Sequence, residues 1–130
     1  MHPLPATFLR LHSRANEVAG PFFDVGFSVG EASEFPKARN MAYCHHDDET
    51  RNLTIVVAPK MLRANIDRIE GVLRHEFGHA LLFFSGHFKH GERDADALAE
   101  QVFGLPIYYD RETVQTIRGG TRPRPAYLGL

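Results

Sequence analysis

Two histidines and a glutamate near the middle of the chain have the types and the spacing for metal-assisted hydrolysis. His75 and His79 lie four residues apart in an uninterrupted helical pattern, so they project side by side from one face of a helix. Two imidazoles placed in this way can hold one tetrahedral Zn²⁺ ion. Glu76 follows the first histidine and is placed to act as a general base on a water molecule that the ion activates. The spacing therefore predicts a catalytic zinc site.

A second predicted helix, over residues 92–103, supplies candidates for the rest of this site. Glu92 stands at its start, after a loop long enough to reverse the chain. Its carboxylate is therefore placed to be the third ligand, which leaves the fourth position open. Asp96, one turn later, is expected to accept a hydrogen bond from the far nitrogen of His75 and so fix that ring. Two histidines of the loop, His87 and His90, are alternative third ligands.

The helix that carries the two histidines is expected to lie at the centre of the domain. It is predicted over residues 66–85, with Asn65 as its N-cap and Gly86 after its end. Its apolar residues form two roughly opposite faces, which indicates that it lies between two layers. One face comprises Ile66, Leu73, Phe77, Ala80, Leu81 and Phe84, and on the other Val72 and Phe83 accompany the histidines. The second face would form the floor of a cleft.

The residues before this helix predict a small sheet over residues 22–58, backed by an amphipathic helix over residues 6–19. The backing helix would bury Phe8, Leu9, Leu11, Ala15 and Val18, and the first strand would bury Phe23, Val25, Phe27 and Val29. Residues 40–46 and 53–58 read as two further strands, paired antiparallel because the connecting turn is short. The fold class is therefore α+β: a compact single domain over residues 1–130, with a mainly antiparallel three-stranded sheet and an irregular tail over residues 118–130.

The composition excludes several classes of protein. With 130 residues and 43% apolar side chains, the chain can bury one real core. A net charge of −1 gives no electrostatic reason to expect a nucleic-acid or membrane partner. The single cysteine, Cys44, fits a reducing compartment, and the first residues lack the pattern of a signal peptide. We therefore expect a soluble cytoplasmic protein.

The two helical motifs together resemble those of the gluzincin metallopeptidases. His-Glu-x-x-His at 75–79 is followed by Glu-x-x-x-Asp at 92–96, and the strands at 40–43 and 53–57 are similar to those that precede the active-site helix in small gluzincins. The resemblance covers residues 38–104 and is closest to the minigluzincins and to small zinc peptidases of phages and mobile elements. It implies a zincin-like fold, one catalytic Zn²⁺ and endopeptidase activity on a peptide or protein.

Further roles can be assigned only as candidates. The oxyanion of the reaction needs a donor besides zinc, for which the sequence offers His87, His90, Tyr108, Tyr109 and Arg111. A substrate would pair most simply with the edge strand at Met41, Ala42 and Tyr43, and Phe83 is a candidate pocket residue. Minigluzincins can be autoinhibited by their own C-terminal segment, so residues 121–130 are a candidate inhibitory tail.

Alternative interpretations remain open. His45 and His46 beside Asp47 and Asp48 form a weaker metal candidate, because adjacent strand residues point to opposite faces. The chain also suits a regulatory or interaction protein that keeps zinc but has little or no proteolytic activity. A helical binding protein without metal is a third interpretation. The intact Glu76 favours chemistry, since a purely structural zinc site does not need that carboxylate.

Overall fold

The computed structural model describes residues 2–104. In chain order these residues form α1 (Pro3–Ala19), β1 (Gly26–Val29), β2 (Ala42–His46), β3 (Leu53–Val57), α2 (Ile66–Phe84) and α3 (Glu92–Phe103). Short 3₁₀ helices lie at Ala32–Glu34 and Pro59–Arg63. The α+β fold class predicted from the sequence is confirmed. No helix within residues 2–104 is long and apolar enough to cross a membrane.

The backing helix α1 begins three residues earlier than predicted. Pro3 and Pro5 occupy its first turn, where the missing N–H groups of proline cost no helical hydrogen bond. The His2 ring caps this end by accepting a hydrogen bond from the backbone N–H of Leu4, at 3.1 Å. The prediction that Leu9 and Val18 belong to the buried side is wrong, since they are 66% and 53% exposed. The buried stripe instead includes Leu4 together with Phe8, Leu11 and Ala15.

The first strand is only half as long as predicted. Residues 22–25 have no partner in the sheet, because their backbone is bonded to side chains of α1 instead. Asn16 donates to the carbonyl of Phe23 at 2.7 Å, and the N–H of Val25 donates to the His12 ring at 3.1 Å. Phe23 and Val25 are buried as expected, but Val29 at the strand's far end is 47% exposed.

The sheet is mixed rather than mainly antiparallel. Its strand order is β1-β3-β2, with β1 parallel and β2 antiparallel to β3. The prediction of an antiparallel pair on either side of the short turn is confirmed. That pair reverses the chain once between β2 and β3, and β1 lies on the far side of β3, where it runs parallel. The near-continuous apolar strand β3 is central, as expected for a strand covered on both faces.

The long helix α2 joins the layers of the domain. It is capped by Asn65, whose side chain accepts from the N–H of Arg68 at 2.9 Å, as predicted. Leu73 and Phe77 are fully buried in the core with residues of α1 and the sheet. Two residues predicted for this face, Ile66 and Phe84, lie at the helix ends and are exposed, because the core does not extend as far as the helix does.

Candidate metal centre

The two histidines of the motif stand side by side on α2, on the face turned away from the core. Their ring centroids are 4.9 Å apart with the planes nearly perpendicular. His75 is 3% exposed, whereas His79 is half-buried and lies nearer the solvent. The helical spacing thus brings the two rings together as the sequence predicted.

Glu92 meets both rings at the first residue of α3. Its Oε2 atom lies 2.5 Å from Nε2 of His75 and 3.1 Å from Nε2 of His79. One ligand atom from each of the three residues falls within 4.8 Å of the others, and residues 2–104 contain no other such group of three. Around a tetrahedral zinc ion with bonds of 2.0–2.1 Å, ligand atoms lie about 3.3 Å apart. Two imidazoles and one carboxylate are a donor set that zinc takes, and the three residues are close enough to hold a metal ion.

Gly78 explains why α3 can approach α2 closely enough. A Cβ atom built on Gly78 would collide with the backbone carbonyl oxygen of Ala95. The facing residues Ala95 and Ala99 are fully buried, as predicted from their small size. The glycine inside the motif is therefore required by the close approach of the two helix backbones. That approach places Glu92 within reach of the histidines.

Glu92 and His79 shift each other's pKa values. The hydrogen bonds from His75 and then from His79 hold the pKa of Glu92 well below its usual range. Burial lowers the pKa of His79, but the bond to Glu92 and the charges of Glu76 and Glu92 outweigh it, so the net pKa is raised. A carboxylate held anionic against two imidazoles suits a divalent cation, which would replace the protons that now lie between these groups.

Glu76 is a buried carboxylate at the wall of the site. Its side chain is 6% exposed, and its Oε1 atom has no hydrogen-bond partner among the described residues. Burial is the main cause that raises its pKa, and the charges of His75 and His79 only partly oppose this. A buried oxygen of this kind is costly unless a bound group or water uses it. Perturbed carboxylates in clefts are typical of functional sites.

Asp96 lies where a partner of His75 was predicted. It is on α3, one turn after Glu92, and is 1% exposed. A buried carboxylate needs a partner, and Asp96 makes an interaction within the protein. The hydrogen bond from His75 to Asp96 remains a prediction.

A cleft of about 460 Å³ opens over these residues. Its floor is the α2 face predicted from the sequence, with Val72, Glu76 and Phe83 beside the histidines. The predicted substrate strand forms one wall, where Met41, Ala42 and Tyr43 line the cleft together with Cys44. The sequence thus identified both the floor and one wall of the cleft.

The open edge of the sheet lies along this wall, with its backbone groups at alternate residues. The N–H of Ala58 donates to the carbonyl of Met41 at 2.8 Å, so Met41 faces β3. In an antiparallel pair the direction alternates, so Tyr43 also faces β3, whereas Ala42 and Cys44 direct their N–H and C=O groups outward. Within residues 2–104 no strand lies beyond β2. Ala42 and Cys44 are therefore the positions open to an added strand.

An aromatic cluster adjoins the cleft, which Phe83 and Phe88 help to line. The His46 ring stacks on Phe83 at a centroid distance of 5.0 Å with the planes 4° apart, and it also contacts Phe88 at 5.3 Å. The position of Phe83 agrees with its predicted place near the site. The weaker metal candidate at residues 45–48 does not assemble: His46 contacts Asp48 at 3.3 Å, but His45 faces the other side of the strand.

The remaining candidate ligands and oxyanion donors have different outcomes in the structure. His90 lies at the site, with its Nε2 atom 2.8 Å from Nδ1 of His79, a contact for which the spacing gave no signal. His87 does not line the cleft but a second cavity between α1, α2 and α3, so its predicted oxyanion role gains no support. Tyr108, Tyr109, Arg111 and the predicted tail lie outside the described residues.

Comparisons of this chain with protein-family models, with curated proteins and with solved structures give no match. The gluzincin resemblance therefore depends on the motifs and on the geometry that they adopt.

Proposed function

We propose that this protein is a zinc-dependent endopeptidase of the gluzincin type. The observation that carries the proposal is the convergence of three ligand atoms, from His75, His79 and Glu92, beside the buried carboxylate of Glu76. A structural zinc site usually has four protein ligands. Here three ligands face a cleft that also holds a general base and an open strand edge, which is the combination that peptide hydrolysis needs.

Each residue has a distinct task in this proposal. His75, His79 and Glu92 would hold Zn²⁺, which when bound acidifies water and polarises a carbonyl group. Glu76 would accept a proton at its unpartnered Oε1 atom and return it to the leaving amine. Burial raises the pKa of Glu76, which suits a group that must hold a proton and then release it. Ala42 and Cys44 would bind the peptide backbone as an added strand.

The test combines metal analysis with cleavage of a diverse peptide library by the full-length chain. The parent is expected to retain about one Zn²⁺ per chain, as a single site requires, and to cut peptides. Glu76→Gln should keep the metal and lose cleavage, whereas Glu92→Ala should lose both. His45→Ala is the matched control, because this exposed histidine lies on the same strand but faces away from the cleft. Its zinc content and activity should equal those of the parent.

The alternative functions give different results in the same experiment. A parent that binds zinc but cuts nothing, even when truncated after Ile117, would favour the regulatory or interaction protein. Cleavage that appears only after this truncation would support inhibition by residues 121–130. A parent that takes up no zinc would overturn the proposal.

A further inference from the structure

A chain of three polar contacts leads from the loop before α3 to the metal centre. Nδ1 of His90 lies 2.6 Å from the backbone carbonyl oxygen of His87. Nε2 of His90 lies 2.8 Å from Nδ1 of His79. Nε2 of His79 then faces Oε2 of Glu92 at 3.1 Å. Both nitrogens of each ring are therefore engaged, and the chain begins at a group whose role is fixed.

The carbonyl of His87 determines which nitrogen of His90, and then which nitrogen of His79, donates in these contacts. A carbonyl oxygen can only accept, so Nδ1 of His90 must carry a proton. In the neutral ring Nε2 is then an acceptor, and Nδ1 of His79 must donate to it. In the metal-free protein Nε2 of His79 donates to the carboxylate of Glu92. When a metal ion replaces that proton, Nε2 offers its lone pair at the position between His75 and Glu92. We propose that His90 is a positioning residue, which holds His79 in the tautomer that binds a metal through Nε2.

The start of this chain is attached to the helix that it serves. The N–H of His87 donates to the carbonyl of Leu82 at 2.9 Å, directly after α2, which fixes the His87 carbonyl relative to His79. The ring of Phe83 packs against His90 at a centroid distance of 4.8 Å and an angle of 67°. His90 is thus held from two sides by residues that move with α2.

The same geometry argues against His90 as the third metal ligand. Its Nε2 atom is occupied by His79, and its Nδ1 atom by the carbonyl of His87. The three converging ligand atoms belong to His75, His79 and Glu92. The two histidine ligands would therefore be oriented differently: His79 by a neutral imidazole and His75, as predicted above, by the carboxylate of Asp96. This inference depends on the proposed zinc site but concerns a residue outside its motifs.

The first test is nuclear magnetic resonance of the unmodified full-length chain labelled with ¹⁵N, with and without Zn²⁺. We expect the zinc-loaded protein to carry a proton on Nδ1 of His79 and none on Nε2. A nitrogen–nitrogen coupling across the hydrogen bond should join Nδ1 of His79 to Nε2 of His90. If zinc is bound and this coupling is absent, or if His79 binds through Nδ1, the inference is overturned while the proposed function stands. If the parent binds no zinc, both fall.

The second test compares zinc affinities by competition with a chromophoric chelator. His90→Leu removes the acceptor and should weaken zinc binding by about 10-fold to 100-fold, the usual effect of losing a partner of a metal-binding histidine. His90→Gln places an amide oxygen near the position of Nε2 and should restore most of that affinity. A residue that only packs would not show this difference, since the glutamine rescues an acceptor rather than a shape.

Lys89→Ala is the matched control, because this exposed residue directly precedes His90 in the same loop. Its zinc affinity should equal that of the parent. Equal affinities in the parent and in His90→Leu would overturn the inference. Loss of the metal from both His90 variants, together with a changed ligand-field spectrum of the Co²⁺-loaded protein, would overturn it as well, since His90 would then be a ligand.

Discussion

Burial stabilises the residues on one face of α2 and opposes the ionisation of a carboxylate on the other. On the core face Leu73, Phe77 and Ala80 are fully buried among apolar neighbours, and burial stabilises them by removing apolar surface from water. On the cleft face His75 and Glu76 are almost as deeply buried, but burial opposes the ionisation of Glu76. One helix thus combines a stabilising face with a face on which a charge is kept out of water.

This difference indicates where the protein gives up stability for a function. A chain selected only to fold would place apolar residues at both buried faces, because replacing buried ionic groups in this way is often neutral or stabilising. The cleft face keeps its polar residues and keeps them close together. The core face must then supply the stability that lets the buried polar cluster persist.

The largest effect is expected from truncation on the core face. Phe77→Ala should lower the free energy of unfolding by about 4 kcal/mol, because it leaves a cavity at the meeting point of α1, α2 and α3. The ring of Phe77 packs on Phe8 at 5.2 Å and on Phe103 at 6.1 Å. Urea unfolding of the metal-free protein measures the change. Phe22→Ala, at a position that is 89% exposed, should change stability by less than about 0.5 kcal/mol. A similar loss in both variants would contradict this account of the core.

The next largest loss of stability is expected at Gly78, where α2 contacts α3. Gly78→Ala should cost about 2–3 kcal/mol, because the new methyl group overlaps the carbonyl of Ala95 and drives the helices apart. Zinc uptake should fall with stability, since Glu92 moves away with α3. Gly26→Ala is the control, because a Cβ there makes only ordinary contacts with Thr54 and Leu53. Unchanged zinc affinity in Gly78→Ala would show that the close approach is not required.

The sequence predicted the meeting of the site residues but not the placement of β1 or the contact of His90. The spacing of His75, His79 and Glu92 predicted their meeting, because helical periodicity and a short reversing loop are local properties. The parallel placement of β1 was missed, since pairing between distant strands depends on tertiary contacts that no local pattern encodes. His90 was predicted only as an alternative metal ligand or oxyanion donor, and its contact with His79 was missed because it depends on the path of a loop. The shortened β1 has a cause on another element, the side chains of Asn16 and His12.

On the cleft face a substitution is expected to raise the free energy of unfolding, by a smaller amount. Glu76→Gln should raise the stability of the metal-free protein at neutral pH, by about 1 kcal/mol, because it removes a buried charge. Burial raises the pKa of Glu76 above its ordinary 4.5. The penalty is therefore absent below pH 4.5 and grows as the pH rises through the folded-state pKa. Urea unfolding of the parent and the variant across this range measures it. Glu49→Gln, at an exposed turn position, should show no such divergence, and parallel curves for Glu76→Gln would contradict the account.

The smallest effect should come from Glu92, whose side chain is 62% exposed and therefore partly screened by solvent. Its lowered pKa means that its contribution is present above its ordinary pKa of 4.5 and is lost as the pH falls below it. His79 has a raised pKa, so its contribution is present below its ordinary 6.5 and is lost as the pH rises through the higher folded value. The pair should therefore stabilise the metal-free protein most between these two limits. Stability of the parent minus that of Glu92→Gln should peak in this window and decrease on both sides. A difference that does not change with pH would show that Glu92 contributes only contacts, and the cleft face would then differ from the core face by the charge of Glu76 alone.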